Sequence, residues 1–283
     1  MFNCKYLKSV LHEVISLGGY LANSCINNVT SKRQADYVTD IDLTVQMRLI
    51  DFLKRIDSNA SFIAEEQDTK EALHKEALSC WFIDPVDGTT NLIHGYRSSC
   101  ISLAHASSGQ IDFGCVFNPF SHELFYSIDG ESILYNTLTN SEQVLNVSKR
   151  SSLAGSLIGF GFPYDKSKSE FLLDKVNKLF NECDDLKRKG PASLDLCYVA
   201  AGRLDAYFEL DLKPWDYAAG GFIVYNAGGQ ILTWGTSTMG SSPLDYNSTT
   251  QNSFSGVNQT NIVAGNSIMC DNLLSILNEA PPR

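Results

Sequence analysis

The chain has 283 residues, 43% of them apolar, which is enough to bury the core of one large domain or of two closely packed halves. Its formal net charge of −10 argues against a surface that follows a nucleic-acid backbone, and the densest basic run, KRK at 187–189, is short and predicts a solvated loop flank. No apolar run approaches the roughly 18 residues of a membrane span, and the N-terminus shows no signal-peptide pattern.

The first 150 residues are predicted to form two helices followed by an antiparallel sheet. Apolar residues recur at helical spacing from residue 6 to about residue 27, and again from about 42 to 53. Short apolar runs at 101–106, 111–117 and 124–128 are separated by Ser-Gly, Asn-Pro and Asp-Gly turn signals. This spacing is typical of a meander of strands.

Beyond residue 150 strands and helices alternate, which predicts an α/β half and a division into domains 1–150 and 151–283. The expected strands and helices are, in order, a strand at 156–160, a helix at about 169–183, a strand near 186, a helix at 193–201, a strand at 206–209, a helix from 215 to about 227, a strand at 262–264 and a helix ending near 277. Asp216 would lie in the first turn of its helix. The segment 235–260 is rich in Ser, Thr, Asn and Gly and predicts a flexible surface excursion without a site of its own.

The eight cysteines contain no C-x-x-C pair, and several lie within apolar strand or helix patterns. Reduced thiols in a cytoplasmic enzyme are therefore expected.

Residues 80–91, CWFIDPVDGTTN, combine the features of a metal and phosphate site. The apolar run 81–83 predicts a short buried strand, and Pro85 favours extended backbone at Asp84, so the strand is expected to present this carboxylate at its end. Asp87 then returns across the turn to the same point. Taken alone, such an acidic pair is also typical of a solvated turn.

The residues that follow favour phosphate. Gly88 has no side chain to keep an oxyanion from the backbone, and Thr89 or Thr90 is predicted to cap a helix whose first amides attract anions. Oxygen ligands without His or Cys favour magnesium over zinc.

This string resembles the signature of the inositol monophosphatase family of magnesium-dependent, lithium-sensitive phosphatases. Two further segments, FIAEE at 62–66 and WDYAAG at 215–220, are similar to that family's other motifs and occur in the right order. Family-like flanks extend from about residue 36 to 266. The resemblance, closest to bacterial members, implies a layered αβαβα sandwich and hydrolysis of inositol monophosphate.

The resemblance also implies two or three Mg²⁺ ions. Glu65, Asp84 and the carbonyl of Val86 would hold one ion, and Asp84, with the carboxylates of Asp87 and Asp216, would hold another. Glu66 is expected to be solvated or to support its neighbour rather than to bind metal.

In the family pattern, Thr89 and Asp42 would orient the attacking water, with Glu65 counted among the catalytic residues and no covalent enzyme intermediate. The alternative is that this acidic segment only starts the second helix, because the neighbouring Asp40 could instead cap it. His94 invites a general-acid role, but a lone loop histidine is usually a surface residue and is left unassigned.

Substrate contacts are implied at Asp87, Asp216 and the amides of Gly88 and Thr89. Glu209 matches the position that accepts a hydroxyl of the inositol ring, and Ala192, in the loop 190–193, matches a residue that lines the same pocket. The consequence is a polyol substrate.

Three departures from the family pattern, Leu92 for Phe, Arg97 for Pro and Pro191 for a small or hydroxyl residue, touch the pocket rim and leave the ligands intact.

The same core also serves fructose bisphosphatases, histidinol-phosphate phosphatases and nucleotide 3'-phosphatases. The Thr90-Asn91 pair disfavours the last of these, which usually carry Lys-Glu. A second substrate phosphate would need a basic cluster, and only 187–189 offers one.

A homodimer is expected from the resemblance. Some bacterial relatives also associate with transcription machinery and influence ribosomal RNA maturation, so a regulatory binding protein is the alternative from a different class. Because of the acidic balance, such a role would require a protein partner rather than direct RNA contact.

Overall fold

The computed structural model describes residues 2–33, 36–66, 79–235, 242–243 and 260–278. Two helices open the chain, α1 (Leu7–Asn23) and α2 (Asp40–Ile56), joined by a short hairpin of β1 (Val29–Arg33) and β2 (Asp36–Thr39). Both helices were predicted. The first ends about four residues earlier than expected, because the backbone becomes extended at Ser24.

A seven-stranded sheet follows, in which neighbouring strands are also consecutive in the sequence. Its strands are β3 (Ser61–Ala64), β4 (Ser79–Asp87), β5 (Cys100–Ser107), β6 (Gln110–Asn118), β7 (Glu123–Ile128), β8 (Glu131–Asn136) and β9 (Ser141–Val144), and a short helix, α3 (Thr89–Ile93), lies between β4 and β5. Only the pair of β3 and β4 is parallel. The predicted meander is confirmed, but it extends two strands further than the sequence indicated.

The second half builds a six-stranded sheet with the order β11-β10-β12-β15-β13-β14. Its elements are β10 (Leu157–Phe160), α4 (Ser169–Glu182), β11 (Asp185–Lys187), α5 (Ala192–Ala200), β12 (Ala206–Leu212), α6 (Pro214–Asn226), β13 (Gln230–Thr233), β14 (Ser242–Pro243), β15 (Thr260–Gly265) and α7 (Ser267–Leu277). The strands β13 and β14 were not predicted, and β14 lies within the segment that was predicted as a flexible excursion. All the other elements of this half that were expected from the sequence are present.

Three apolar clusters divide the molecule into five layers. The helices α1 and α2 cover one face of the first sheet, where Val14 and Leu49 belong to the same cluster as Trp81. The nearly fully buried α5 and α6 lie between the two sheets. The helices α4 and α7 cover the outer face of the second sheet. This order confirms the αβαβα sandwich.

The division near residue 150 stays a prediction, because the cluster around α5 and α6 joins residues of both sheets. The predicted flexible excursion at 235–260 lies mostly outside the described residues. All eight cysteines are unpaired. In the part of the chain that is described, no helix combines the length and apolarity needed to cross a membrane.

Candidate active site

A bulge in β4 brings two aspartates to the same cleft. Asp84 pairs with Ser102 and Asp87 with Cys100, so three steps along β4 oppose two along β5. In a regular strand, residues three apart point to opposite faces, whereas an extra residue re-aims the second side chain. Both carboxylates line a cavity of about 190 Å³. The prediction that the turn returns Asp87 to the point reached by Asp84 is confirmed.

Two further carboxylates reach this cavity from neighbouring elements. Glu65 directly follows β3, whose parallel pairing with β4 sets Ala64 opposite Ile83, so Glu65 and Asp84 leave the sheet side by side. Their carboxyl groups are within hydrogen-bonding reach of each other. Asp216 lies in the first turn of α6, as predicted, and lines the same cavity.

Each of the three aspartates is anchored through one oxygen. Oδ1 of Asp84 accepts a hydrogen bond from the amide of Val86 at 3.1 Å, and Oδ2 of Asp216 accepts one from the amide of Lys213 at 2.7 Å. Oδ2 of Asp87 accepts hydrogen bonds from the amide and the hydroxyl of Ser193, at 2.9 and 2.5 Å. These anchors restrict the orientation of the three carboxylates.

The electrostatics of the cavity favour a cation. Burial raises the pKa of Asp84 and of Asp216, and the neighbouring carboxylates raise both further. Burial also raises the pKa of Asp87 to about 6, against hydrogen bonds from Ser193 that lower it. Like charges in a buried cleft are costly unless a proton or a cation neutralises them.

The donor set fits a hard divalent ion, since it consists of carboxylate oxygens and the carbonyl of Val86. Among the described residues, no group of three or more His, Cys, Asp or Glu side chains is already arranged to hold a metal ion. Closing a coordination shell would therefore require the carboxylates to turn further toward a common point.

Lys32, which the sequence did not single out, lies at the edge of this cavity. Its Nζ is 3.2 Å from Oε1 of Glu65 and also hydrogen-bonded to Glu66. Burial raises the pKa of Glu66 to about 7, and the charge of Glu65 adds to this effect. Glu66 thus supports its neighbour through a shared lysine. Lys32 belongs to the first hairpin, far from any motif, so no sequence signal marked it.

Thr89 and Asp42 meet as the resemblance implied. The hydroxyl of Thr89 donates to Oδ1 of Asp42 at 2.8 Å and lies 3.0 Å from the carbonyl oxygen of Val86. Oδ2 of the buried Asp42 accepts a hydrogen bond from the amide of Thr39 at 2.9 Å, which completes a capping box. Burial raises the pKa of Asp42, whereas the hydrogen bonds from both threonines lower it.

The structure contradicts one alternative and one prediction about helix caps. Thr39, not Asp40, caps α2, and the Asp40 carboxylate instead accepts hydrogen bonds from the amides of Asn27 and Asn28. The N-cap of α3 is Gly88 and not a threonine, because the chain there needs φ of 92° and carries no side-chain cap. A helix of five residues also has only a small dipole, so its amides rather than its dipole would hold an anion.

Gly88 is required by space as well as by conformation. A Cβ atom at this position would lie 2.9 Å from Cγ of Pro191 and 2.9 Å from the carbonyl oxygen of Ser98. The residue therefore closes the turn where the strand carrying Asp84 meets the loop before α5.

A larger cavity of about 430 Å³ continues from the first one and shares Asp87, Gly88, Thr89 and Asp216 with it. Ala192 and Glu209 line the larger cavity, so the structure brings both predicted pocket residues next to the cleft. Glu209 is 7% exposed, and burial raises its pKa to about 8. His94 is exposed and does not line either cavity.

The three residues of the basic run separate in the structure. Lys187 forms an ion pair with Asp185, and Nζ of Lys189 lies 4.5 Å from the ring centroid of Tyr198. Arg188 lines the larger cavity. The run was expected to be a solvated loop flank: Arg188 is exposed as expected, whereas Lys187 lies in the strand β11.

Tyr164 is a second residue that the sequence did not mark. It lines both cavities, and the residue is 53% exposed. A tyrosine in a loop carries no periodic signal, so only the three-dimensional structure reveals its position.

The comparisons with known proteins agree with this geometry. A sequence model described as the inositol monophosphatase family matches residues 6–270. The chain is 38% identical over 205 residues to the Nus factor SuhB of Pasteurella multocida, covering 71% of this chain and 73% of that protein. The crystal structure of the extragenic suppressor protein SuhB from Bartonella henselae is similar with a TM-score of 0.80 and 27% identity, over 97% of this chain and 99% of that one. The Thermotoga maritima IMPase is similar with a TM-score of 0.77 and 26% identity, over 97% of each chain. The match of the family model along nearly the whole sequence shows that this chain belongs to the inositol monophosphatase family.

Proposed function

We propose that this protein is a magnesium-dependent phosphatase that hydrolyses inositol monophosphate to myo-inositol and phosphate. The observation that carries the proposal is the junction of the two cavities at Asp87, Gly88, Thr89 and Asp216. A phosphate at this junction would face the carboxylate cleft on one side, and its alcohol group would extend into the larger cavity. Membership of the family supports phosphatase activity, and the pocket supports a polyol.

Glu65, Asp84, Val86, Asp87 and Asp216 would hold the magnesium ions. When bound, these ions would neutralise the phosphate charge and stabilise the attacking and leaving oxygens. Such help is needed because hydrolysis of a phosphate monoester requires a barrier reduction on the order of 20 kcal/mol, and general acid-base catalysis contributes only about 10²–10⁴-fold. At Glu65 a third ion would compete with the ammonium group of Lys32.

The chain's own residues would orient the reactants. Because the Thr89 hydroxyl donates a hydrogen bond to Asp42, its oxygen lone pairs are free to accept a hydrogen bond from the attacking water. The amides of Gly88 and Thr89 would donate to phosphate oxygens. Glu209 and Ala192 would contact the ring of the alcohol.

A phosphate-release screen in magnesium tests this proposal across inositol, sugar, nucleotide and histidinol phosphates. The highest kcat/KM is expected for an inositol monophosphate, with no release in EDTA. Arg188 at the cavity wall favours one competing substrate class, a sugar bisphosphate, so fructose 1,6-bisphosphate belongs in the screen. Activity that persists in EDTA, or a tenfold preference for a substrate without a polyol, would contradict the proposal.

A second candidate function is a regulatory role through a protein partner, since the relative from Pasteurella multocida is named a Nus factor. Affinity capture from the source cell, with the wild type and with an inactive Asp84→Asn variant, would test it. Transcription proteins captured equally by both variants would support a role separate from catalysis. A homodimer and a cytoplasmic location also remain predictions.

A further inference from the structure

The carboxyl group of Glu209 occupies a slot that exists only because residue 161 is a glycine. A Cβ atom on Gly161 would lie 2.0 Å from Cδ of Glu209 and within 2.2 Å of both carboxyl oxygens, and these are the three nearest atoms to that position. The backbone of Gly161 is held against β12, because its amide donates to the carbonyl oxygen of Phe208 at 3.2 Å. The slot is therefore rigid on the side of the main chain.

Tyr207 also contacts the carboxyl group of Glu209. Its hydroxyl donates a hydrogen bond to Oε2 of Glu209, and the two residues, two apart on β12, point to the same face of the sheet. Tyr207 has no exposed surface, and its ring belongs to the apolar cluster between the two sheets. An anchored ring of this kind holds its hydroxyl in one place.

The hydrogen bond from Tyr207 occupies one carboxyl oxygen and leaves Oε1 for the cavity that Glu209 lines. A glutamate side chain has three rotatable bonds, and fixing it before a ligand arrives removes an ordering cost from binding. The charges around this carboxyl include those of Arg188, Asp87, Asp195 and Asp216. No cation of the described residues forms an ion pair with Glu209 that would remove the need for Tyr207.

We propose that Tyr207 is a positioning residue, which together with the gap at Gly161 fixes the Glu209 carboxyl so that Oε1 accepts one hydroxyl group of a polyol phosphate. This inference rests on the proposed function, since it names how the pocket selects its alcohol. It separates specificity from reaction: the residues around Asp84 act on any phosphate ester, whereas the Tyr207–Glu209 pair acts on hydroxyl-bearing ones.

The test is a double-mutant cycle on kcat and KM for inositol monophosphate and for 4-nitrophenyl phosphate, which has no ring hydroxyl. Tyr207→Phe should raise KM for inositol monophosphate and reduce the preference for it, the ratio of the two kcat/KM values, by about tenfold. Glu209→Gln should reduce the preference at least as far, and the double variant should equal Glu209→Gln within about twofold. Tyr198→Phe, a buried tyrosine of the same cluster, is the matched control and should change the preference less than twofold.

Substitution at Gly161 tests the same pair without touching either residue. Gly161→Ala should displace Glu209 and reduce the preference by about tenfold or more, and its melting temperature should fall. In a Glu209→Ala background the added methyl group meets no carboxyl, so Gly161→Ala should change neither quantity further.

Two outcomes would overturn the inference. Equal losses on both substrates in Tyr207→Phe, or effects of Tyr207→Phe and Glu209→Gln that multiply, would mean that Tyr207 does not act through Glu209. Failure of the proposed function is recognised separately, because the unmodified enzyme would then show no preference for inositol monophosphate. That result would overturn the hydroxyl-accepting role, and the melting temperatures would still show whether Gly161 and Glu209 are coupled.

Discussion

The two ends of β4 carry polar clusters of opposite character. At its carboxyl end, Asp84 and Asp87 meet Glu65 and Asp216, so four groups of like charge line one cavity. The amino end of this nine-residue strand lies roughly 25 Å away and begins with Ser79. There, hydrogen-bond donors face acceptors, and a histidine faces a carboxylate.

The cluster at the amino end is a chain of satisfied contacts. The hydroxyl of Ser79 donates to Asp57 at 2.5 Å and lies 2.9 Å from Nε2 of His105. Nδ1 of the buried His105 lies 2.5 Å from Oδ1 of Asp112, whose Oδ2 accepts a hydrogen bond from the amide of Phe2 at 2.6 Å. We call these residues the His105 network.

The comparison separates one end of the strand, where polar groups are paired, from the other end, where like charges surround the proposed metal site. Burial alone would raise the pKa of Asp112, but the hydrogen bond and the charge of His105 lower it below the usual value. At Asp84 burial and the neighbouring carboxylates act in the same direction and raise the pKa. Changes in the cleft should therefore cost activity, and changes in the His105 network should cost stability.

The largest effect is expected in the cleft. Asp84→Asn and Asp216→Asn should each lower phosphate release in magnesium by about a thousandfold or more, because metal ions supply several kcal/mol of transition-state stabilisation. Asp112→Asn, assayed below its melting temperature, should retain activity within about threefold. If Asp84→Asn kept a tenth of the wild-type rate, the cleft would not be the site of the reaction.

The next effect is a loss of stability in the His105 network. Asp112→Asn should lower the free energy of unfolding by roughly 3 kcal/mol, since it removes the charged acceptor of the hydrogen bonds from His105 and from the amide of Phe2. The folded pKa of Asp112 is depressed, so this contribution is present above its unfolded pKa of about 3.9 and is lost as pH falls through the folded value. Urea unfolding at pH 7 measures the first statement, and a series from pH 4 down to about pH 2 measures the second.

Ser79→Ala is the control for that measurement, because it removes a hydroxyl and no charge, and about 1 kcal/mol is expected. An Asp112→Asn cost no larger than the Ser79→Ala cost would show that His105 is not held by a charge.

Most of the fold could be predicted from the sequence where burial follows a period. The faces of α1 and α2 repeat every three to four residues, and the runs in β5 and β6 are buried nearly throughout. The strand β9 was missed because all four of its residues are exposed, so no alternation marks it. Its pairing with β8 comes from a neighbouring strand rather than from its own pattern.

The site divides in the same way. Asp84, Asp87 and Asp216 lie next to a glycine turn or a helix start, so a local motif marked them. Lys32 and Tyr207 carry no such motif, because each acquires a role only when a distant loop or a neighbouring strand position places it beside a glutamate. The assignment of the metal-binding and substrate-binding residues stays a prediction.

Thermal melts with and without magnesium test the same comparison through ligand binding. Magnesium at roughly a hundredfold excess over Kd should stabilise the wild type by about 2.7 kcal/mol, because it binds the folded state alone and relieves repulsion in the cleft. In EDTA, Asp84→Asn should melt above the wild type, and it should gain less from magnesium. Asp112→Asn should gain as much from magnesium as the wild type does, since its network lies at the other end of β4.

A mutant Asp84→Asn that melts below the wild type in EDTA would mean that the hydrogen bond from the Val86 amide outweighs the repulsion. The picture of a cleft strained by like charges would then be wrong, and the two ends of β4 would differ only in function.

The smallest effect concerns Asp195, a carboxyl on α5 behind the cleft. It is 1% exposed, and its Oδ1 has no hydrogen-bond partner among the described residues. Burial raises its pKa to about 7; the charges of Lys189 and Arg188 lower it, and that of Asp87 raises it. It therefore shares the burial of the His105 network but lacks a partner of that kind.

The sign of its pH dependence follows from linkage. Between the unfolded pKa of about 3.9 and the folded value of about 7, Asp195 holds a proton in the folded state that the unfolded chain has released, so its contribution to stability falls as pH rises through this window. Asparagine takes no charge at either pH. The stability of Asp195→Asn relative to the wild type should thus rise by about 2 kcal/mol from pH 5 to pH 8, measured by urea unfolding in EDTA. A difference that stays constant over this range would show that Asp195 is ionised throughout, and Lys189 or Arg188 would then be the partner that makes it resemble Asp112.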